Sequence, residues 1–468
     1  MIDGERLGPK GRYSREVRSP GTGAVIGTLP HAFKADLDRA LEVSARTFKE
    51  WRKVLAYERA KILKRAADLM RERLEHIATL MTMEQGKTLG EARVEVGGAA
   101  DTFEWYAEEG KRAYGRLIPS RAIGTTHAVT KEPVGVVVAF APWNFPAMTA
   151  ARKIAPALAA GCSVIIKPAE ETPATPLALV KALEDAGLPK GVVNVVFGEP
   201  SEVSSHLIAS PIVRKISFTG STAVGKHLAK LAAEGVKRCT MELGGHAPVI
   251  IFDDADLDQA VNLSTMFKFR NAGQVCTNPT RFFVHDAVHD AFVKRFSDAA
   301  RTLPVGNGLD ANSKMGPVAN PRRVDAMEEL IGDAQKRGAK VHTGGERIGN
   351  EGYFWKPTIM SEVPIDSKIM NIEPFGPVAA INRFNRFDDV MEEANRLPYG
   401  LAGYAFTQSS KTATAVGAAL DTGLVGINTF AITVPETPFG GVKESGYGLE
   451  SGAEGLDAYL ATKFIAHA

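Results

Sequence analysis

The chain has 468 residues, too many for one compact core, so two large domains are the starting expectation. Its 44% hydrophobic and 24% charged residues are those of an ordinary globular enzyme. With 56 basic and 54 acidic residues the net charge is +2, which gives no reason to expect nucleic acid or an anionic membrane as a partner.

The start, Met1 to Arg6, is polar and lacks the apolar core of a secretory signal. The most apolar run, Val134 to Trp143, is too short to span a bilayer. Cys162, Cys239 and Cys276 are an odd and sparse set that makes no disulfide framework and fits a reducing compartment. A bacterial-type cytoplasmic enzyme is the expectation.

Residues 34–115 read as helical. Leu63, Ala67, Met70, Leu74 and Ile77 recur at spacings of three and four, which puts them on one face as a packing stripe. From Val134 the pattern changes to short β-rich runs, Val134–Phe140, Cys162–Ile166, Val192–Phe197 and Lys215–Phe218, with helix-compatible stretches such as Thr175–Ala186 between them. That alternation predicts a parallel sheet with crossover helices. The run Thr219-Gly220-Ser221-Thr222-Ala223-Val224-Gly225 then turns a strand into a helix with Val224, Leu228 and Leu231 on one face. Such a turn can bring backbone N–H groups to a phosphate, although the glycine spacing is not G-x-G-x-x-G. A second βα alternation runs from about Gly245 to Gly441. Gly and Pro punctuate 302–320, which reads as surface loop, and Leu456–Ile465 reads as a strand leaving the domain.

Three segments carry chemistry. Phe269-Arg270-Asn271-Ala272-Gly273-Gln274-Val275-Cys276 sets a cysteine among polar neighbours, with Thr277 and Asn278 following. Cys162 and Cys239 sit in or beside strand-like runs and read as small packed residues. Met241-Glu242-Leu243-Gly244-Gly245 places a carboxylate at an apolar strand end, where burial would raise its pKa toward that of a useful base. Pro142-Trp143-Asn144-Phe145-Pro146 offers an amide donor between prolines. A nucleophile, a base and an oxyanion donor suit acyl chemistry on a carbonyl.

Together these segments resemble the aldehyde dehydrogenase superfamily over nearly the whole chain, most of all its succinate-semialdehyde and 2-oxoglutarate-semialdehyde members. The resemblance implies an α/β fold with a Rossmann-like dinucleotide-binding domain (1–116 and 132–243), an α/β catalytic domain (244–448) and a small β arm (117–131 and 449–468) that pairs subunits into a homodimer or homotetramer. It implies oxidation of an aldehyde to an acid through a thiohemiacetal and a thioester on Cys276, with Asn144 and the Cys276 N–H as oxyanion donors. Glu242 is then the base for hydrolysis, since CoA-acylating relatives typically lack a glutamate there, and Lys153 and Glu450 match a proton relay. Hydride needs a nicotinamide acceptor. The resemblance places Lys167 and Glu170 on the adenosine ribose, Ser221 at the pyrophosphate and Thr219 near the ring. Glu373 falls on the nicotinamide ribose and Phe375 against the ring, with Trp143, Gly220 and Gly225 in the same site. A carboxylate at Glu170 would repel a 2′-phosphate, which tilts the choice toward NAD over NADP.

For the substrate, Arg152 stands where relatives acting on apolar aldehydes carry an aromatic residue, and Arg270 precedes the nucleophile as a second cation. Two guanidinium groups would give a carboxylate bidentate partners; the competing reading is that each pairs with a structural carboxylate. Met148 and Thr149 replace amide side chains of the oxoglutarate-semialdehyde type, which favours succinate semialdehyde or another ω-semialdehyde acid. Thr433 adds a hydroxyl, and Phe145, Phe430 and Phe439 would form an apolar tunnel that keeps neutral aromatic or aliphatic aldehydes as alternatives; 2-oxoglutarate semialdehyde is a further alternative that the resemblance implies. His246 and Leu449 depart from the usual Lys and Arg. Asn278 occupies the place of a second cysteine in redox-switched relatives, so no local disulfide is expected. A thioesterase, or a silent binding protein on an old enzyme fold, is the remaining alternative. No metal-ligand spacing is present, so no catalytic metal is expected.

Overall fold

The computed structural model describes residues 1–468. Val136–Phe140 and Ser163–Lys167 are buried at every position, as strands covered on both faces must be. Val137, Ala139, Val164 and Ile166 pack into one core, while Val136, Val138, Phe140 and Ile165 pack into another on the opposite face. The period of two in the side chains therefore separates two helical layers.

From edge to edge this first sheet runs Gly446–Tyr447, Arg238–Glu242, Val213–Thr219, Val136–Phe140, Ser163–Lys167, Val193–Val195. All neighbours are parallel except the short edge strand. Numbered along the chain the parallel strands lie in the order 5-4-1-2-3, which is the doubly wound dinucleotide-binding arrangement. A second sheet of seven strands has the order Lys340–Thr343, Thr358–Ser361, Val378–Phe384, Pro279–His285, Ala247–Ile251, Ala402–Phe406, Leu424–Ile427. Only its Lys340–Thr343 edge is antiparallel. A separate antiparallel sheet joins Arg116–Ile118, Thr126–Pro133 and Leu460–His467. No helix is long and apolar enough to cross a membrane.

The helical stretch before Val134 comprises Lys34–Trp51, Ala56–Glu72, Leu74–Gln85 and Leu89–Glu109. The 63–77 stripe does not lie on one helix: Leu63, Ala67 and Met70 are buried on the second, the chain breaks at Arg73, and Ile77 is buried on the third. Val224 is 46% exposed, because Gly225, Leu228 and Ala232 form the buried face of Thr222–Glu234. The loop 302–320 is not confined to the surface. Met315 and Val318 are fully buried, and Leu89 N donates to Gly308 O at 2.9 Å, so the loop packs beneath the Gln85–Thr88 turn.

Candidate active site

In a doubly wound sheet, ligands bind beyond the carboxyl ends of the strands where the strand order reverses. Here that point lies between Val136–Phe140 and Val213–Thr219, the first of which leads into Pro142-Trp143-Asn144 and the second into Gly220-Ser221. Glu242 ends the next strand. The chain then crosses at Gly244-Gly245 to the second sheet, whose strands Pro279–His285 and Val378–Phe384 are entered from Cys276 and from Glu373–Phe375. The carboxyl edge of one sheet thus faces the amino edge of the other across a cavity of about 960 Å³. Its walls carry Cys276, Glu242, Asn144, Glu450, Trp143, Thr219, Gly220, Ser221, Glu373, Phe375, Arg152, Arg270, Phe145, Thr433 and Phe439.

The Cys276 loop is held in an unusual backbone. Asn271, Ala272 and Gly273 are consecutive left-handed residues, with φ of 51°, 52° and 72°. The two non-glycine positions cost roughly 1–2 kcal/mol each. At Gly273 a Cβ would lie 2.0 Å from Gly376 O, so only glycine fits. Asn271 is fixed through Gln85 Nε2 donating to its Oδ1 at 2.9 Å and through its own N–H donating to Glu91 at 2.7 Å. Asn278 donates to the carbonyls of Phe267 and Lys268 and accepts from the buried Lys268 ammonium, so the residue in place of a second cysteine ties the loop to the preceding helix. The Cys276 backbone N–H has no acceptor in the protein. Burial and the Glu373 carboxylate push the thiol up to about 12, against a smaller opposing pull from Arg152.

Asn144 donates one amide hydrogen to Gln274 O at 3.1 Å, leaving the other free. Both carboxylate oxygens of Glu242 are buried without a hydrogen-bond partner. Desolvation, with the charge of Glu450 adding to it, holds Glu242 well above the usual carboxylate range. Gly440 leaves that room, since a Cβ there would lie 3.1 Å from Glu242 Oε1. Lys153 Nζ donates to Glu450 at 2.6 Å, to Thr219 Oγ1 at 2.7 Å and to Ser217 Oγ at 3.2 Å, so the two relay candidates form one buried pair.

Neither arginine finds a structural carboxylate. The Nε of Arg152 and that of Arg270 are buried and unpartnered. Arg152 stacks 4.3 Å from the Phe439 ring centroid, and Arg270 lies 5.5 Å from those of Phe145 and Phe267. The surrounding acids are engaged elsewhere: Glu95 with Lys87, Glu450 with Lys153, Asp101 with Arg71, and Glu91 with Thr88 and the Asn271 N–H. Phe430 is a correction. It packs in the second core against Tyr404, Phe406 and Phe267 and does not line the cavity. Thr149 Oγ1 donates back to Phe145 O at 2.7 Å, so its hydroxyl is spent.

The cofactor candidates divide. Trp143 and Phe375 meet edge to face at 5.6 Å. Glu373 accepts from Gly245 N at 3.2 Å, and burial raises it to about 8. Ser221 precedes Thr222–Glu234 with no side-chain cap, which leaves helix N–H groups open to an anion. Lys167, Glu170 and Gly225 do not line this cavity. Lys167 and Glu170 are a buried pair at 2.5 Å, and Gly225 packs under Leu243, where a Cβ would lie 2.3 Å from Cδ2. Arg323, which sequence reasoning missed, brings a buried unpartnered Nε to the cavity wall beside Glu373. An open helix N-terminus, a guanidinium held by the Pro374 carbonyl but in no ion pair, a carboxylate for a diol and an aromatic pair fit a dinucleotide. Arg322-Arg323 after Pro321 was a legible signal of charge at a helix start.

Comparison with known proteins identifies the family and the fold. The profile of the aldehyde dehydrogenase family matches residues 9–465. A 4-(hydroxymethyl)benzenesulfonate dehydrogenase of Comamonas testosteroni is 50% identical over 99% of this chain and 97% of its own length. The 3-sulfolactaldehyde dehydrogenase of Pseudomonas putida is 44% identical over 99% and 96%. The crystal structure of succinate-semialdehyde dehydrogenase from Burkholderia pseudomallei superposes with a TM-score of 0.98 at 43% identity, covering 100% of this chain and 97% of the other.

Proposed function

Since the chain belongs to the aldehyde dehydrogenase family and is an NAD(P)-dependent oxidoreductase, we propose that its substrate is an aldehyde with a strong anion at its far end. The observation that carries this is the pair of arginines in the cavity that holds Cys276, Arg152 and Arg270, neither in an ion pair and each with a buried, unpartnered Nε, Arg152 being buried as a whole. An unpaired charge out of water costs several kcal/mol, and a substrate anion is the partner that would offset it. A semialdehyde acid such as succinate semialdehyde meets this description. So does a sulfonate, and relatives named for sulfonated compounds at 50% and 44% identity favour including it.

In the mechanism, the Cys276 thiolate adds to the aldehyde carbon. The second amide hydrogen of Asn144 and the free Cys276 N–H hold the oxyanion that forms. Trp143, Phe375, Glu373, Ser221, Gly220 and Arg323 would hold the dinucleotide along the cavity; Lys167 and Glu170, which lie outside its wall, are assigned to the adenosine ribose by the family resemblance alone, and on that assignment NAD is preferred. When bound, that cofactor supplies the acceptor for the hydride lost as the tetrahedral adduct collapses to a thioester on Cys276. Glu242 takes a proton from water, which attacks the thioester and frees the acid. What supports Glu242 as this base is its unsatisfied, buried carboxylate and raised pKa. Glu450 and Lys153 carry the proton away through their 2.6 Å contact. Thr433, Phe145 and Phe439 line the substrate path.

The cofactor unit comprises 1–116 and 132–243, the catalytic unit 244–448 and the arm 117–131 with 449–468. The enzyme is a cytoplasmic homodimer or homotetramer. Supporting this, Leu117, Phe464 and Ile465 on the three-stranded sheet are 76%, 59% and 44% exposed, an apolar surface that a second copy would cover.

The deciding experiment is a kcat/KM panel with NAD and NADP. The aldehydes are succinate, glutarate and 2-oxoglutarate semialdehydes, 3-sulfolactaldehyde, 4-formylbenzenesulfonate, benzaldehyde and hexanal. A preference of tenfold or more for the anionic aldehydes, about 1.4 kcal/mol of transition-state binding, is expected. Equal or inverted selectivity would assign both arginines to structure.

A further inference from the structure

One fully buried ion pair on the wall of this cavity takes no part in the steps described above. Lys87, in the turn between the helices Leu74–Gln85 and Leu89–Glu109, is 1% exposed, and Glu95, on the second of these, is 4% exposed. Their side chains pair at 2.5 Å. An apolar pair of similar volume would be as stable in such a place, because desolving two ions costs about what their attraction returns. What distinguishes this pair is what its remaining atoms hold. Lys87 Nζ also donates to Asn144 O at 2.8 Å and lies 4.1 Å from the centroid of the Phe145 ring. The other Glu95 oxygen accepts from Ala147 N at 2.8 Å and Met148 N at 3.2 Å.

Those two N–H groups belong to the first turn of Pro146–Ala160, whose preceding residue, Phe145, provides no side-chain cap. Glu95 therefore caps that helix from another element. Residues 144–148 are gripped at a carbonyl, at a ring and at two amides by one ion pair. Asn144 O also accepts from Asn271 Nδ2 at 2.9 Å, so the same carbonyl is shared with the loop that carries Cys276.

We propose that Lys87 and Glu95 form a positioning unit that sets the Asn144 amide relative to Cys276 for oxyanion binding. This rests on the reading of Asn144 as the oxyanion donor. Both line the cavity, with their charged atoms committed to each other and to residues 144–148. They act through the backbone of 144–148, where a displacement of about 1 Å is enough to cost on the order of 100-fold in rate.

The test uses the full-length enzyme with NAD and its preferred aldehyde. Stopped-flow measures the NADH burst, and iodoacetamide alkylation measures Cys276 reactivity in a reaction that builds no oxyanion. Lys87→Met is expected to slow the burst by roughly 10- to 100-fold, and Glu95→Gln, which keeps shape and volume, by a smaller factor of at least three. Alkylation rate and NAD affinity stay within twofold. In an Asn144→Ala background, adding Lys87→Met slows the burst by less than a further twofold, because its effect passes through the missing amide. If Lys87→Met does not accumulate as folded protein, Glu95→Gln carries the same comparison. An unchanged burst in both variants would overturn the proposal, as would effects that multiply with Asn144→Ala or alkylation that falls in parallel with the burst. An Asn144→Ala enzyme with an undiminished burst would remove the oxyanion assignment itself, and this proposal with it.

Discussion

Arg152→Met is the sharpest probe of the anion-binding reading. The side chain is 8% exposed, its guanidinium rests on Phe439, and its Nε has no partner, so no protein group is left orphaned when it is removed. The loss specific to an anionic aldehyde is then that of a charge-assisted interaction with the substrate. Removing one member of a buried charge pair costs about 2–5 kcal/mol. Arg270 remains as a second cation, which places the expected loss near about 3 kcal/mol, a factor of roughly 150 in kcat/KM. The same substitution also lifts the Cys276 and Glu242 pKa values, since the Arg152 charge lowers both. That effect acts on every aldehyde. The quantity to measure is therefore the ratio of kcat/KM for an anionic aldehyde to that for hexanal or benzaldehyde, in wild type and variant. A ratio that falls by 50-fold or more is expected. A change under threefold would refute the argument. The free variant is also expected to unfold at a higher urea concentration than wild type, because a buried unpaired charge has been replaced by an apolar chain of similar length.

Glu242→Gln leaves acylation intact and removes the base, so a near-stoichiometric NADH burst followed by slow turnover is expected; a burst with an undiminished steady rate would acquit Glu242. Glu84, 3% exposed and accepting from Thr175 N, Thr175 Oγ1 and Ala174 N, is raised from 4.5 to about 7 by burial. A carboxyl with a raised folded pKa contributes stability that is fully present below about pH 4.5 and lost as pH rises through 7. Thermal unfolding of Glu84→Gln between pH 5 and 8 should therefore decline less steeply than that of wild type, and parallel curves would contradict the assignment. Asn278→Ala strips the buried Lys268 ammonium of its acceptor, and a loss of about 2–4 kcal/mol in denaturant unfolding is expected.

Much of the fold and the core of the site were legible in the sequence, for a physical reason. Cys276, Glu242 and Asn144 each sit in a short segment whose neighbours announce their setting: a polar glycine-containing turn, an apolar strand end, and a bend between prolines. Strand-rich runs and the Gly220-Ser221 turn follow from local periodicity, and the structure moves their ends by only a few residues. What could not be read depends on partners distant in the chain. Whether Arg152 pairs is decided by Glu95 and Glu450, which are 57 and 298 positions away and are claimed by other lysines. Phe430 and Phe439 look alike along the chain, yet one faces Tyr404 and the other faces Arg152. The 63–77 stripe keeps its spacing across Arg73, where the helix ends. Apolar spacing reports that a face is buried and not what lies against it.

If the proposed roles of Arg152 and Glu242 hold, Arg152 couples the substrate anion to the deacylating base. Glu242 is raised by burial and by Glu450, and lowered by Lys153 and Arg152. Lys153 is committed to Glu450 at 2.6 Å, so its field does not change with the substrate. Arg152 has no partner in the protein, and an anion bound to it cancels its field at Glu242. With an anionic acyl group on Cys276 the base is therefore more strongly proton-binding than with a neutral one. A base must be deprotonated to act, so the acid limb of the deacylation rate is expected at higher pH for an anionic acyl group than for a hexanoyl or benzoyl group. Single-turnover decay of the acyl-enzyme as a function of pH measures this directly. Arg152→Met should bring the two profiles together, with both limbs near that of the anionic acyl group in wild type. Superimposable profiles in wild type would mean that Arg152 does not face both the anion and Glu242.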